Sequence, residues 1–326
     1  MTEQLLLNPD REPSLAGVER AAKKIAELLP RTPLLPLEVD GQTIWCKAEC
    51  LQPIGAFKIR GGWHRLSDLD PDAQKRGVVA FSSGNHAQGV AWAAKRLGIN
   101  ATIVMPDDAP KAKMENTKAL GARVVTYDRM SGAREELAAN LAAETGATVV
   151  PSFDDPWVVE GQGSCGLEIR EQMIALTGNA PDQIAVCCGG GGLSAGTALA
   201  NPQATIIPVE PEGWDDMRRS LELGKIVPVQ HNPPPTQCDA LQTLEVAPIT
   251  FNLLRDRAVT GVSVTQAEVH NALRVAFEKL HIVVEPGGAV ALAAVLSGKV
   301  PATEHTAVTI SGGNVDPHLF AEIIAG

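Results

Sequence analysis

The chain has 326 residues, 28 of them Lys or Arg and 38 Asp or Glu, for a formal net charge of −10. A hydrophobic fraction of 44% supports a sizeable core and excludes a disordered chain. The acidic balance excludes nucleic acid as main partner, because neutralising phosphates needs clustered Lys and Arg. No apolar run reaches the roughly 18–20 residues of a membrane span, so no membrane partner is expected. The opening MTEQLLLNPDREPS lacks the basic start and apolar stretch of a secretory leader. The six cysteines (Cys46, Cys50, Cys165, Cys187, Cys188 and Cys238) show no zinc-site spacing, and the adjacent pair suits no disulfide. Reduced thiols and a cytoplasmic location are expected.

The periodicity predicts alternating strands and helices. Residues 14–29 have apolar positions at helical spacing and stop before Pro30. A strand is expected at 43–48. From 77 onward the alternation is regular: strand 77–82, helix 84–97, strand 101–105, helix 110–120, strand 122–127, helix 131–145 and strand 147–150. Gly98, Gly121 and Gly146 close the three helices. The pattern resumes with helix 158–177, strand 183–188, a helix from about 192, strand 205–210 and helix 214–223. The Pro-rich stretch 228–238 excludes regular structure. Helices near 265–280 and 287–297 and a strand at 307–311 follow. The expected fold is α/β, with two open, twisted, mainly parallel sheets and flanking helices. The expected division is a large domain from 1–70 and 154–326 and a small one from 71–153. In such sheets ligands gather beyond the carboxyl ends of the strands.

Four segments at such positions carry chemistry. Gly189, Gly190, Gly191 and Gly192 lie between a strand and a helix, where free N–H groups and the helix N-terminus form a cup for an anion, most often phosphate. The same segment satisfies GxGxxA through Gly190, Gly192 and Ala195, with Glu210 at a strand end 20 residues after Gly190. A nicotinamide dinucleotide oxidoreductase is therefore an alternative reading, with Glu210 on a ribose. Ser82-Ser83-Gly84-Asn85-His86 follows a strand and opens a helix, and its hydroxyls, amide and N–H groups suit a carboxylate; capping alone accounts for one of the serines. Lys58, between Phe57 and Ile59, reads either as a solvated lysine or as a desolvated amine nucleophile of lowered pKa. Ser311, before Gly312-Gly313-Asn314, offers a hydroxyl at a strand end or begins a tight turn. An amine, a phosphate cup, a carboxylate pocket and a hydroxyl together suit pyridoxal phosphate with an amino-acid substrate, whereas the dinucleotide reading leaves Lys58 and the Ser-Asn loop without a task.

These residues resemble the fold type II pyridoxal-phosphate family, in its threonine/serine dehydratase and serine racemase branch. The resemblance runs through RTPLLPL, KAECLQPIGAFKIRG, SSGNHAQGVA, GGGG, VEPEGWDD, EPGGA and SGGN in the family's order, over nearly the whole chain. It implies that Lys58 is the Schiff-base lysine and the base at Cα. It implies further that Phe57 adjoins the cofactor, that Gly189 to Gly192 hold its phosphate, that Asn85 meets its phenolic oxygen and that Ser311 meets its pyridine nitrogen. Ser82, Ser83, Asn85 and His86 would receive the substrate carboxylate, with Ser83 as acid/base on the opposite face. Glu210, Asp216 and the carbonyl of Trp214 resemble the branch's divalent-cation site, for Mg, Ca or Mn; for Asp215 and Asp216 the alternative is the start of helix 214–223, where negative charge is favourable, and the cation reading is preferred. The implied function is dehydration of L-threonine or L-serine to a 2-oxo acid and ammonia, with serine racemase and threo-3-hydroxyaspartate dehydratase as alternatives, in a homodimer. Two departures stand out. Cys188 precedes the glycines, and Asp239-Ala240-Leu241-Gln242-Thr243 replaces the usual DGLRT near the substrate side. The chain has no room after SGGN for a regulatory domain, so isoleucine feedback is not expected.

Overall fold

The computed structural model describes residues 11–82, 84–109, 111–128, 134–257 and 259–326. In chain order the elements are α1 (Leu15–Ala26), β1 (Leu34–Val39), β2 (Gln42–Ala48), α2 (Lys58–Ser67), α3 (Pro71–Arg76), β3 (Val78–Phe81), α4 (Asn85–Leu97), β4 (Ala101–Pro106), α5 (Lys111–Ala119), β5 (Arg123–Tyr127), α6 (Arg134–Thr145) and β6 (Thr148–Val149). They continue as α7 (Pro156–Thr177), β7 (Gln183–Cys187), α8 (Gly192–Ala200), β8 (Thr205–Pro211), α9 (Asp216–Leu223), α10 (Pro248–Arg255), β9 (Val262–Val264), α11 (Gln266–Val275), α12 (Pro286–Leu296), β10 (Thr306–Ile310) and α13 (Pro317–Ala325).

Two open sheets result, as the alternation predicts. The four-stranded sheet has order β5-β4-β3-β6 and is wholly parallel. Its strands are apolar on both faces because helices cover both. Val78, Ala80, Ile103 and Met105 face the cluster that includes Ala87, Val90 and Ala94 of α4. Val79 and Val104 face Ala138 and Ala142 of α6. The six-stranded sheet has order β1-β2-β10-β7-β8-β9 and is parallel except for β1 against β2. That pair is a hairpin whose two turn residues, Asp40 and Gly41, both have positive φ, the geometry that matches strand twist. Ile184, Val186 and Ala307 pack on one face and Ala185, Cys187, Val308 and Ile310 on the other.

Several elements escape the periodicity. β9 is an edge strand of three residues and β1 carries Pro36, while α2 holds Gly61 and Gly62 and α3 has only six residues. The helix expected at 265–280 is α11 as far as Val275, then a π-helical turn from Ala276 to Leu280, which His281 ends at φ 56°. Residues 228–238 have neither helix nor strand. Residue 110 and residues 131–133, expected at helix starts, lie outside the described residues.

Helix α2 is held from three sides. Arg60 donates to both oxygens of Glu49 at 2.7 Å and to both oxygens of Glu168 on α7 at 2.8 Å. Lys47 of β2 adds a 2.6 Å bond to Glu168. Arg60 and Glu49 are completely buried. Burial by itself raises the Glu49 carboxyl, but the Arg60 guanidinium outweighs it and holds Glu49 down at about 2. Helix α2 also meets α4 backbone to backbone. A Cβ on Gly62 would lie 2.8 Å from the Gly89 carbonyl oxygen, and one on Gly89 would lie 2.7 Å from that of Lys58.

Removing Arg60 strips the buried Glu49 of its ion-pair partner and leaves Glu168 with Lys47 alone. Arg60→Met is expected to cost about 3–5 kcal/mol, read as a lower urea midpoint at neutral pH. The folded pKa of Glu49 lies below its ordinary value, so its contribution is complete above that value and fades as pH falls through it toward about 2. The deficit of the variant should shrink on acidification; an equal deficit at all pH values would contradict this account.

Candidate active site

The cleft between the sheets encloses about 990 Å³, part of it open to solvent, and is lined at the carboxyl ends of β3, β7 and β10. Lys58 is the first residue of α2, and its Nζ donates to the Ser152 carbonyl at 2.8 Å. The ammonium lies 5.2 Å from the centre of the Phe57 ring. Burial pushes it down to about 8. Lys58 is half-buried, with its amine turned inward onto the Ser152 carbonyl.

The segment carrying Lys58 is stitched to the end of β10. Phe57 N donates to Ser311 O at 3.1 Å, Gly313 N to Gly55 O at 2.8 Å, and Asn314 Nδ2 to Ile54 O at 2.8 Å. Ala56 and Gly312 form an isolated antiparallel bridge. Ser311 is thereby brought to the cleft wall beside Lys58.

Gly189 to Gly192 form the opposite wall. Gly191 has φ 86° and caps α8, which begins at Gly192, so the loop presents backbone N–H groups at a helix N-terminus. The room is specific to glycine: a Cβ on Gly190 would fall 2.2 Å from the Phe153 ring. Thr250 Oγ1 donates to Gly190 O at 2.8 Å and fixes the loop. A phosphate-bearing group fits this cradle.

The loop after β3 supplies a third wall. Ser82 Oγ accepts from Gly84 N at 3.2 Å, and α4 begins at Asn85. Ser83 lies outside the described residues. His86 is buried and its Nε2–H donates to Val150 O at 2.9 Å. Burial, and then the charge of Lys58, push it down to about 3, so it is neutral and fastens the loop to the end of β6.

Asn85 exposes a residue that sequence reasoning missed. Its Nδ2 donates to Glu285 at 2.6 Å, while its Oδ1 accepts from Asn314 Nδ2 at 2.7 Å. Glu285 caps α12 and lines the cleft. Burial, helped by Asp239, pushes its carboxyl up to about 7. The signal was present in EPGGA, an acid followed by Pro-Gly-Gly at a helix start, but it reads as ordinary capping. Lys113 of α5 and Asp239 were also given no site role. They form an ion pair across the cleft mouth, and both line it.

Glu210, Trp214 and Asp216 lie away from the cleft lining. Glu210 is buried and accepts from Met217 N at 2.9 Å and Arg218 N at 2.7 Å, so both oxygens serve α9. Because Glu210 does not line the cleft, a ligand seated on the glycine cradle does not meet its carboxylate, which removes the acidic partner of the dinucleotide reading. The two oxygens of Asp216 are buried without a well-formed hydrogen bond. Burial pushes Asp216 up to about 7 and, with Asp216 nearby, pushes Glu210 well up. Among the described residues no group of three His, Cys, Asp or Glu side chains has metal-holding geometry. All six cysteines are free and buried, and among the described residues no helix is long and apolar enough to cross a membrane.

Comparison with known proteins agrees with this geometry. The family described as pyridoxal-phosphate dependent enzyme matches residues 25–312. An L-threo-3-hydroxyaspartate ammonia-lyase from a Pseudomonas species is 39% identical, over 96% of this chain and 99% of its own length. A serine racemase from Schizosaccharomyces pombe is 36% identical over the full length of both. The crystal structure of a T.th. threonine deaminase superposes with a TM-score of 0.86 at 40% identity, covering 93% of this chain and 99% of the other.

The position of Lys58 predicts its reactivity. In protein freed of cofactor, coupling of a simple aldehyde to Lys58, trapped by reduction and located by mass spectrometry, should rise with pH around a midpoint of about 8. A midpoint in the range of surface lysines would show that the amine is not desolvated.

Proposed function

The chain belongs to the pyridoxal-phosphate dependent enzyme family, in the branch of ammonia-lyases and serine racemases, and on that premise we propose that it releases ammonia by β-elimination from small L-β-hydroxy amino acids of the L-threonine and L-serine type. The observation that carries this reading is the Lys58 amine, depressed to about 8 and set between the glycine cradle and the Ser82–His86 loop. When bound, pyridoxal phosphate supplies the electron sink that makes the Cα–H bond acidic.

The protein's own residues do the rest. Gly189 to Gly192 would hold the phosphate through backbone N–H groups, Ser311 would serve the ring nitrogen, Phe57 would adjoin the ring, and Asn85 would serve the phenolic oxygen. A hydroxyl at Ser311, unlike a carboxylate, would not keep that nitrogen protonated, which suits elimination. Glu285 and Asn314 fix the amide of Asn85 so that its donor and acceptor ends cannot exchange. The α4 N-terminus, with Ser82, Ser83, Asn85 and His86 in its first turn and approach, receives the substrate carboxylate. Lys58 Nζ takes the Cα proton, and an amine of pKa about 8 is uncharged often enough near neutrality to do so. The β-hydroxyl departs as water, taking up the proton that Lys58 removed from Cα, and the enamine product hydrolyses to a 2-oxo acid and ammonia.

Serine racemisation is the second reading, supported by the S. pombe relative. It shares the first proton transfer and then needs Ser83 to return a proton on the opposite face. A divalent cation, Mg, Ca or Mn, held by Glu210, Asp216 and the Trp214 carbonyl extends the proposal; the orphaned Asp216 oxygens support it.

The purified protein should show the visible band of a lysine-bound cofactor, lost on borohydride reduction. Lys58→Ala should abolish both band and turnover; turnover at the wild-type rate would sink the assignment. Following ammonia, 2-oxo acid and D-serine together separates the readings: 2-oxo acid should dominate, and Ser83→Ala should lower activity on D-serine more than on L-serine. Excess D-serine over 2-oxo acid would make racemisation the function. Excess Mg, Ca or Mn should raise the melting temperature by roughly 2–4 °C, and Asp216→Asn should remove that rise; no rise with any of the three would dismiss the cation site.

A further inference from the structure

We propose that Lys113 receives a second, distal carboxylate, so that the preferred substrate is a β-hydroxy amino acid with a dicarboxylic skeleton; this rests on the ammonia-lyase reading above. Among the described residues lining the cleft, the cationic side chains are Lys58 and Lys113. Lys58 is engaged in the chemistry. The α-carboxylate has the N-terminus of α4, and the phosphate has the glycine cradle and α8. Lys113 is left without a task in either binding mode.

Its surroundings show what it is suited to hold. Lys113 projects from α5, beside the four-stranded sheet. Its partner Asp239 begins the short 3-10 turn Asp239–Leu241, which packs against α12 beside the six-stranded sheet. The Lys113 side chain is 18% exposed and that of Asp239 is 49% exposed. The ammonium is thus held at the cleft while its carboxylate partner stands half in solvent. A substrate carboxylate offers Lys113 the same partner chemistry as Asp239, and Asp239 is rehydrated on release. Exposed ion pairs of this kind are weak and exchange at little cost. A monocarboxylic substrate has nothing to put in place of Asp239, and leaves the pair closed.

The test compares kcat/KM for L-threo-3-hydroxyaspartate with kcat/KM for L-serine. Lys113→Met should lower this ratio by roughly tenfold or more, the worth of one charge-assisted contact. Lys113→Arg should retain most of it, and Asp239→Asn should lower KM for the dicarboxylic substrate. A second measurement needs no turnover: calorimetry should show L-aspartate binding the wild-type holoenzyme more tightly than L-alanine, with the difference lost in Lys113→Met. An unchanged ratio, or equal loss on both substrates with faster release of cofactor, would overturn the proposal, the latter by assigning Lys113 to the phosphate. If no β-hydroxy amino acid is turned over, the ammonia-lyase reading fails, and the L-aspartate preference then decides the role of Lys113 by itself.

Discussion

The buried guanidinium of Arg60 is the point on which the site depends. A charge so far from water is tolerated only because two carboxylates from different parts of the chain meet it with matched geometry. Glu49 follows β2 and Glu168 lies midway along α7, so the contact ties α2 to both the six-stranded sheet and its longest helix. Lys58 lies two residues before Arg60 on the same helix. Once the guanidinium is fixed, the backbone origin of the lysine is fixed with it, and only the side chain remains to be steered by Ser152 and Phe57.

The charges in the cleft divide by environment. Lys58 is depressed by burial, His86 is held neutral, and Glu285 is raised toward neutrality. Such a wall carries little net charge of its own and leaves the strongest fields to backbone N–H groups at the starts of α4 and α8. Those donors are already oriented and need no counter-ion, which suits a site that takes a phosphate and a carboxylate together.

Much of this was legible in the sequence. Strand and helix alternation specified both sheets, because parallel strands buried on both faces are continuous apolar runs bounded by glycine. The glycine cup, the Ser-Asn loop, Lys58 and Ser311 were visible as unusual residues at strand ends, and the family's motif order joined them. What was not legible depended on distance in the chain. Glu285 is 200 residues from Asn85, and nothing local distinguishes it from a helix cap. Lys113 looks like any lysine on a polar helix until Asp239 arrives from 126 residues away. β9, with three residues, lacks the length for a period to appear, and Pro36 obscures the alternation of β1. Glu210 fitted two roles by spacing, and its place away from the cleft was needed to set aside the ribose.

The glycine contact between α2 and α4 has a mechanical meaning. Gly62 and Gly89 let two backbones touch with no side chain between them, so the joint has no soft layer to compress or shear. Lys58 and Asn85 flank this joint, one on each helix. The spacing of their two backbones is therefore set by a rigid contact, and the amine and the amide are registered to one another with no side chain serving as spacer.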